Sequence, residues 1–543
     1  MSRHHVLSPC PLAKFFFAIT LLNCSITFGE ESSFQEKLDE KIQPNPDARY
    51  PVFVRFADQL FKKSGNYEAF TKKHAREKRS MLRKRVLATL RKKSDTSWQA
   101  VRTTIKELET SSAIQDLQRF WIINGFACRA SYDACKKLAA LKNVEFVYFQ
   151  RVPVPQHRRK MIRVPNAARS AQMKKIYQQV LKDWKDDSND PFKTDGLEIP
   201  WNLKKIRADV AWKTEKATGK GIVIALMDSG LMVTPSLTAA LWRNPKEKLN
   251  GKDDDGNGYV DDLFGYDFAA DSFYALGDGR VMTHGSMCAG IMVGRPLNKK
   301  KMITGVAPRA KLMVLRGMGL FKAYEYALAN GADIMSMSFM FTQQNIGDYR
   351  GVYRLAHEHL AAGGVVAVGG AGNFGAGRRS LPQGKQIAIP KDIPCVICAA
   401  GITKEGTAPP FSSRGPCTWE GVKFYNDYPV KAPLKKPDVT GCIGGYPVWG
   451  RPITLRGRWK IESNEGNGTA LVVGPQGNSF SGPHCGGVAA LMLSVNPELN
   501  PWEIKQLMES SCKDLGAKGW DTTYGHGLLD AAAAVKAAKA VKK

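Results

Sequence analysis

Apolar and polar positions change rhythm along the 543-residue chain. Residues 49–56 (RYPVFVRF) alternate with a period of two, which predicts a half-buried strand. In the basic stretch 72–93, Met81, Leu82, Val86, Leu87 and Leu90 recur between lysines and arginines, with Phe70 just ahead. That spacing predicts an amphipathic helix with a solvated basic face. FWIING at 120–125 and ACRAS at 127–131 predict a strand pair, YDACKKLAAL a helix and VEFVYFQ a further strand. Residues 30–150 therefore read as a small α+β domain. Residues 151–199 lose any sustained apolar period and turn to Pro, Gln, Arg, Lys and Asp. They predict an exposed, cleavable linker with a short helix at 171–184.

From residue 200 to 543 the rhythm becomes that of an α/β fold. GIVIALMDSG (221–230), AKLMVLRGM (310–318), GADIMSMSFM (331–340), GGVVAVGGAGN (363–373) and IPCVICAAG (393–401) are near-continuous apolar runs. Strands buried on both faces of a parallel sheet read this way. Helical stretches such as KAYEYALANG and YRLAHEHLAAG separate them. The prediction is a mostly parallel sheet flanked by helices, with functional groups at the carboxyl ends of its strands.

The net charge of +29 invites a polyanion or membrane-surface partner. No nucleic-acid module accompanies the basic stretch, so the reading is no nucleic-acid partner. At the start, Arg3, His4, His5 and Lys14 precede FFFAITLL, and small or polar residues follow to Gly29. Residues 1–29 read as a secretory signal, too short to span a bilayer comfortably, with an N-terminal anchor as the alternative. Export to an extracellular or periplasmic space follows, without stable membrane insertion once the signal is removed. The odd count of 11 cysteines argues against a complete disulfide framework. Cys395 and Cys398 lie on one strand facing opposite sides, and Cys128 and Cys135 flank a turn and could pair.

Candidate chemistry falls at strand and helix ends in the order Asp, His, Ser. Asp228 ends the run MDSG, His284 opens the small-residue helix of THGSMCAGIM, and Ser479 stands at the mouth of another in GNSFSGPHCGG. Serine needs a neutral imidazole to take its proton, and the imidazole needs a carboxylate to fix its tautomer. Asn373, ending GGAGN, could donate to an oxyanion. Singly, Asp228 could be a strand-end cap, His284 a buried helix histidine and Asn373 a turn residue. Together, in one known triad order, they favour catalysis.

These motifs resemble those of the subtilisin-like serine proteases, the subtilase family. MDSG resembles the family's Asp motif, HGSMCAG its HGTHVAG, GGAGN its oxyanion motif and GNSFSGPHCGG its GTSMAAPHVAG. FSSRGP, KPDV and YGHGLLDAAAAV add to the likeness. The resemblance implies a serine endopeptidase with Asp228, His284, Ser479 and Asn373 in the catalytic roles, acting on protein or peptide substrates as a monomer. It identifies residues 30–150 as similar to the family's inhibitory propeptide, so that the chain's own front domain would block the cleft until the 151–199 linker is cut. The alternative is a catalytically silent protein that keeps the fold for binding. Ser286 and Met287 depart from the family's Thr-His. Ser338, Phe339 and Met340 align with the strand lining the pocket for the substrate's P1 side chain, and Met340 replaces a glycine there. The loop RGMGL (316–320) is short where relatives pair with substrate.

Between Asp228 and His284 lies KDDDGNGYVDD, 252–262. Asp253, Asp255, Asn257, Tyr259 through its carbonyl and Asp261 resemble the first part of an EF-hand calcium loop, although Phe264 stands where the terminal Glu belongs. The reading is a structural calcium, with an acidic solvated turn as the alternative, and no cofactor for catalysis.

Overall fold

The computed structural model describes residues 36–150, 167–184, 191–277, 283–342, 346–452, 459–466 and 468–542. The signal at 1–29 and much of the linker lie outside them. No described helix is long and apolar enough to cross a membrane.

The front part carries strands β1 (Tyr50–Phe56), β2 (Ile114–Phe120), β3 (Gly125–Ala130) and β4 (Val144–Phe149), in an antiparallel sheet of order β2-β3-β1-β4. The α+β reading matches the elements, but within FWIING only Phe120 and Gly125 are strand residues, ending β2 and opening β3, and residues 121–124 form the turn between them. Alternation in β1 sends Val52, Val54 and Phe56 into a core with Ile105, Leu108, Ala134 and Leu138. Phe53, on the other face, meets Phe321 and Tyr349 of the main body at ring distances of 6.2 and 6.0 Å. The strand predicted to be half-buried is thus buried on both faces, because a second layer covers the side expected to face water.

The predicted basic helix is divided into Asn66–Lys73 and Arg79–Gln99. Its basic face is only partly solvated. Arg79 Nη1 pairs with Asp333 at 2.8 Å, and Arg79 Nε donates to the Pro497 carbonyl. Arg83 donates to the Gly363 and Ala332 carbonyls. A carbonyl at a helix or strand boundary lacks an internal partner, so a guanidinium fork can satisfy several at once. The linker helix spans Ala167–Asp183, with Tyr177 and Val180 in the main core.

The main body holds β5 (Val223–Asp228), β7 (Gly265–Asp267), β9 (Lys311–Arg316), β10 (Ile334–Met337), β11 (Val366–Gly370), β12 (Ile397–Ile402) and β13 (Val439–Cys442). The short strands β6 (Leu231–Met232) and β8 (Leu276–Gly277) pair beside them. The large sheet is parallel in the order β13-β12-β11-β10-β5-β9-β7. Both faces are covered, as the continuous apolar runs require. Helices Thr283–Val293 and Ser481–Val495 pack into the core on one face, and Phe321–Ala329 and Arg350–Ala362 lie on the other. The front sheet rests on this second pair. The carboxyl ends of β5, β10 and β11 lie side by side, and Asp228, Ser338 and Asn373 emerge there.

Every described cysteine is unbridged, Cys128 and Cys135 included, so the possible pair at that turn is absent.

Candidate active site

Asp228 closes β5 with its side chain 1% exposed. Its Oδ1 and Oδ2 lie 2.9 and 3.0 Å from His284 Nδ1, and Oδ1 also accepts from the Ser229 N–H at 2.7 Å. His284 sits in the first turn of helix Thr283–Val293 and leaves 42% of its side chain exposed. The helix approaches the chain after β5 so closely that a Cβ on Gly285 would lie 2.2 Å from the Gly230 carbonyl, so glycine is needed. Ser286, at a departure from the family pattern, accepts from the Met232 N–H and ties the helix to β6.

Burial disfavours the imidazolium, but the Asp228 hydrogen bond and charge outweigh it and raise the His284 pKa above its ordinary value; the Lys391 ammonium pulls it down. Lys391 is itself buried, and desolvation lowers its pKa to about 7.

Ser479 occupies the 3-10 turn Asn478–Phe480 that leads into helix Ser481–Val495. Its carbonyl accepts from Ser338 Oγ at 2.8 Å and from Cys288 Sγ at 3.5 Å, joining the ends of β10, the His284 helix and the serine turn. The Phe480 ring stacks with His284 at 6.4 Å. Asn373 is exposed, and its Oδ1 accepts from the Asn478 N–H at 2.9 Å. That bond commits the oxygen and leaves the amide NH2 as a donor. The Ser479 N–H, in the opening turn, has no acceptor among the described residues. His484 is a different case: Nδ1 donates to the Phe480 carbonyl, Nε2 accepts from Asn202, and burial lowers its pKa to about 4. It is a neutral structural group.

The acidic loop departs from the expected ligand pattern. Asp253 and Asp255 each bring an oxygen within 4.8 Å of the others and of Glu247. Sequence reasoning missed Glu247, which lies outside the alternating run. It is 1% exposed, its Oε1 accepts from the Asp254 and Asp255 N–H groups, and its Oε2 is buried without a partner. Burial raises its pKa. Asn257 Oδ1 accepts from the Tyr259 N–H, and Asn257 Nδ2 donates to Asp262. Asp261 is engaged elsewhere: its Oδ1 accepts from the Asn250 and Gly251 N–H groups and its Oδ2 from the Gly251 N–H. As placed, it caps a turn. A set of hard oxygens around an orphaned buried carboxylate fits a calcium ion.

Among known proteins, the model of the subtilase family matches residues 219–527, more than half of the chain. Fervidolysin of Fervidobacterium pennivorans is 27% identical over 438 residues, covering 76% of this chain and 53% of that protein. Bacillopeptidase F of Bacillus subtilis is 24% identical over 530 residues, covering 94% and 31%. A protein named calcium-dependent protease, from Trichormus variabilis, is 28% identical over 290 residues, covering 47% and 40%. The chain thus spans about half or less of the length of these relatives. A solved structure of MycP1 with its N-terminal propeptide removed is 22% identical, with a TM-score of 0.42, covering 62% of this chain and 98% of that one. The match over 219–527 contains Asp228, His284, Asn373 and Ser479, and the chain belongs to the subtilase family.

Proposed function

We propose that the chain is a serine endopeptidase made as a self-inhibited zymogen. The observation that carries this reading is the His284 Nδ1 contact with both oxygens of buried Asp228, at 2.9 and 3.0 Å, on a helix that also contacts the Ser479 turn. Asp228 holds the Nδ1 proton and leaves Nε2 to take the proton from Ser479 Oγ. Oγ attacks the substrate carbonyl, and the Asn373 NH2 and Ser479 N–H receive the developing oxyanion. His284 then returns the proton to the leaving amine. Water, activated by the same histidine, releases the acyl group.

The front domain acts as the inhibitor. It lies over helices Phe321–Ala329 and Arg350–Ala362, and Glu325 accepts from the Trp121 and Ile122 N–H groups in the turn after β2. Cutting in the 151–199 linker frees it, and the chain works outside the cytoplasm after loss of residues 1–29. A calcium held by Glu247, Asp253 and Asp255 would stabilise the 252–262 loop and take part in no step.

A fluorophosphonate probe tests the chemistry. It should label the processed protein at Ser479, and neither Ser479→Ala nor His284→Ala should be labelled above background. Labelling that persists in both variants would contradict the reading.

A further inference from the structure

Resting on the protease reading, we propose that Met340 closes the pocket beside Ser479 and confines cleavage to bonds that follow a small residue: glycine, alanine or serine.

The P1 side chain branches from the carbon next to the attacked carbonyl, and the resemblance to the family places it between the two segments that flank the nucleophile. Ser338 fixes one, through its hydroxyl on the Ser479 carbonyl at 2.8 Å. Gly372 and Asn373 form the other. Asn478 ties both to the serine turn, with its N–H on Asn373 Oδ1 at 2.9 Å and its Nδ2 on the Gly372 carbonyl at 2.5 Å.

Met340 reaches across that gap. A Cβ built on Gly372 would lie 2.8 Å from Met340 Cε and 3.1 Å from Sδ, so the thioether fills the space beside Gly372 that a side chain there would need. Gly372 has a φ of +107°, which excludes a side chain there and keeps the wall bare. The first wall is also held from behind. Phe341 N–H donates to the Ile389 carbonyl at 2.9 Å, Phe339 packs on Phe341 at a ring distance of 5.5 Å, and the buried Lys391 ammonium lies 5.2 Å from the Phe339 ring. The segment carrying Met340 is therefore fastened on its outer side.

A leucine or phenylalanine would need the volume that the thioether fills. Discrimination in an apolar pocket of this kind runs to about 10- to 200-fold for a small change in size.

The test uses processed enzyme and fluorogenic peptides that differ only at P1, with Gly, Ala, Ser, Leu or Phe there. Wild type, Met340→Gly, Met340→Ala and the Ser479→Ala blank are compared by kcat/KM. In wild type the alanine peptide should exceed the leucine and phenylalanine peptides by about 10- to 200-fold. Both Met340 variants should lose most of that gap, chiefly by gaining on the large residues; the alanine variant serves if the glycine variant does not fold. Wild-type cleavage after leucine or phenylalanine as fast as after alanine would overturn the proposal. So would an unchanged gap in an active Met340 variant. If wild type turns over no peptide beyond the blank, the protease reading itself fails and this inference falls with it, a result distinct from either of the others.

Discussion

At His284, two forces oppose each other: burial favours the neutral ring, and Asp228 favours the cation. Asp228 prevails, so the acid limb of kcat/KM should have its midpoint above the ordinary histidine value of 6.5. The working form is the neutral base, so activity rises with pH through that midpoint. Asp228→Asn should lower the midpoint and cut turnover by about 10,000-fold, as the same change does in a triad of the same type. A pH-rate profile of both proteins checks this. Asn373→Ala removes the side-chain amide proposed above to donate to the oxyanion. In subtilisin itself, the family's namesake, loss of the corresponding donor costs about 100- to 1,000-fold in turnover, and a similar loss is expected here with KM little changed. The four groups proposed to react stand out in the sequence because each ends a strand or opens a helix inside a short motif. Glu247 does not. Its role depends on the chain folding back over the acidic loop, and no local spacing reports that.

Among the elements, the front sheet and helix Arg350–Ala362 meet at His359. Its Nδ1 donates to the Ile122 carbonyl and its Nε2 accepts from the Phe61 N–H, which fixes a neutral ring. Burial lowers its pKa to about 3; the Ile122 bond raises it, and Arg55 and Lys93 lower it further. With the front domain gone, the ring loses the Ile122 and Phe61 contacts and part of its burial, so its pKa rises above the docked value. The docked state therefore excludes a proton that the separated state binds. Docking should therefore weaken as pH falls toward acid, by at most about tenfold per unit. Glu325, whose carboxyl burial raises from 4.5, acts in the opposite sense nearer the carboxylate range. Inhibition of processed enzyme by its own front domain, measured at pH 7.5 and 5.5, should show the loss, and His359→Gln should flatten it. A separate measurement concerns packing: Phe53→Ala empties a ring site between the layers and should cost about 3–5 kcal/mol of stability in the uncut chain, read by denaturant unfolding. Alternation in β1 made that strand legible. The second covering layer was not, because Phe53 looks the same facing water or facing Phe321 and Tyr349. Likewise the spacing of Leu82, Val86 and Leu90 gave the helix, while Arg79 and Arg83 read as solvated until Asp333 and the Gly363 carbonyl were seen to meet them.

For the whole molecule, the apolar runs of the main body disclosed a parallel sheet because strands buried on both faces leave no alternation. Strand order, and hence the meeting of β5, β10 and β11 at the site, depends on long-range pairing that no single run encodes. The calcium reading also belongs at this scale. A chelator should lower the Tm of the processed protein, and Glu247→Gln should produce much of that drop without chelator, because it removes a buried anionic ligand from the 252–262 loop. An unchanged Tm in both cases would leave the acidic loop as a self-satisfied turn.

The central claim is that this chain cuts itself free through Ser479. The most direct measurement is intact mass with N-terminal sequencing of purified wild type beside Ser479→Ala, both incubated with calcium. Wild type alone should lose the front domain by a cut within 151–199. Equal processing of Ser479→Ala by the purified protein, or an uncut wild type that a fluorophosphonate does not label even after the front domain is removed by another protease, would contradict it.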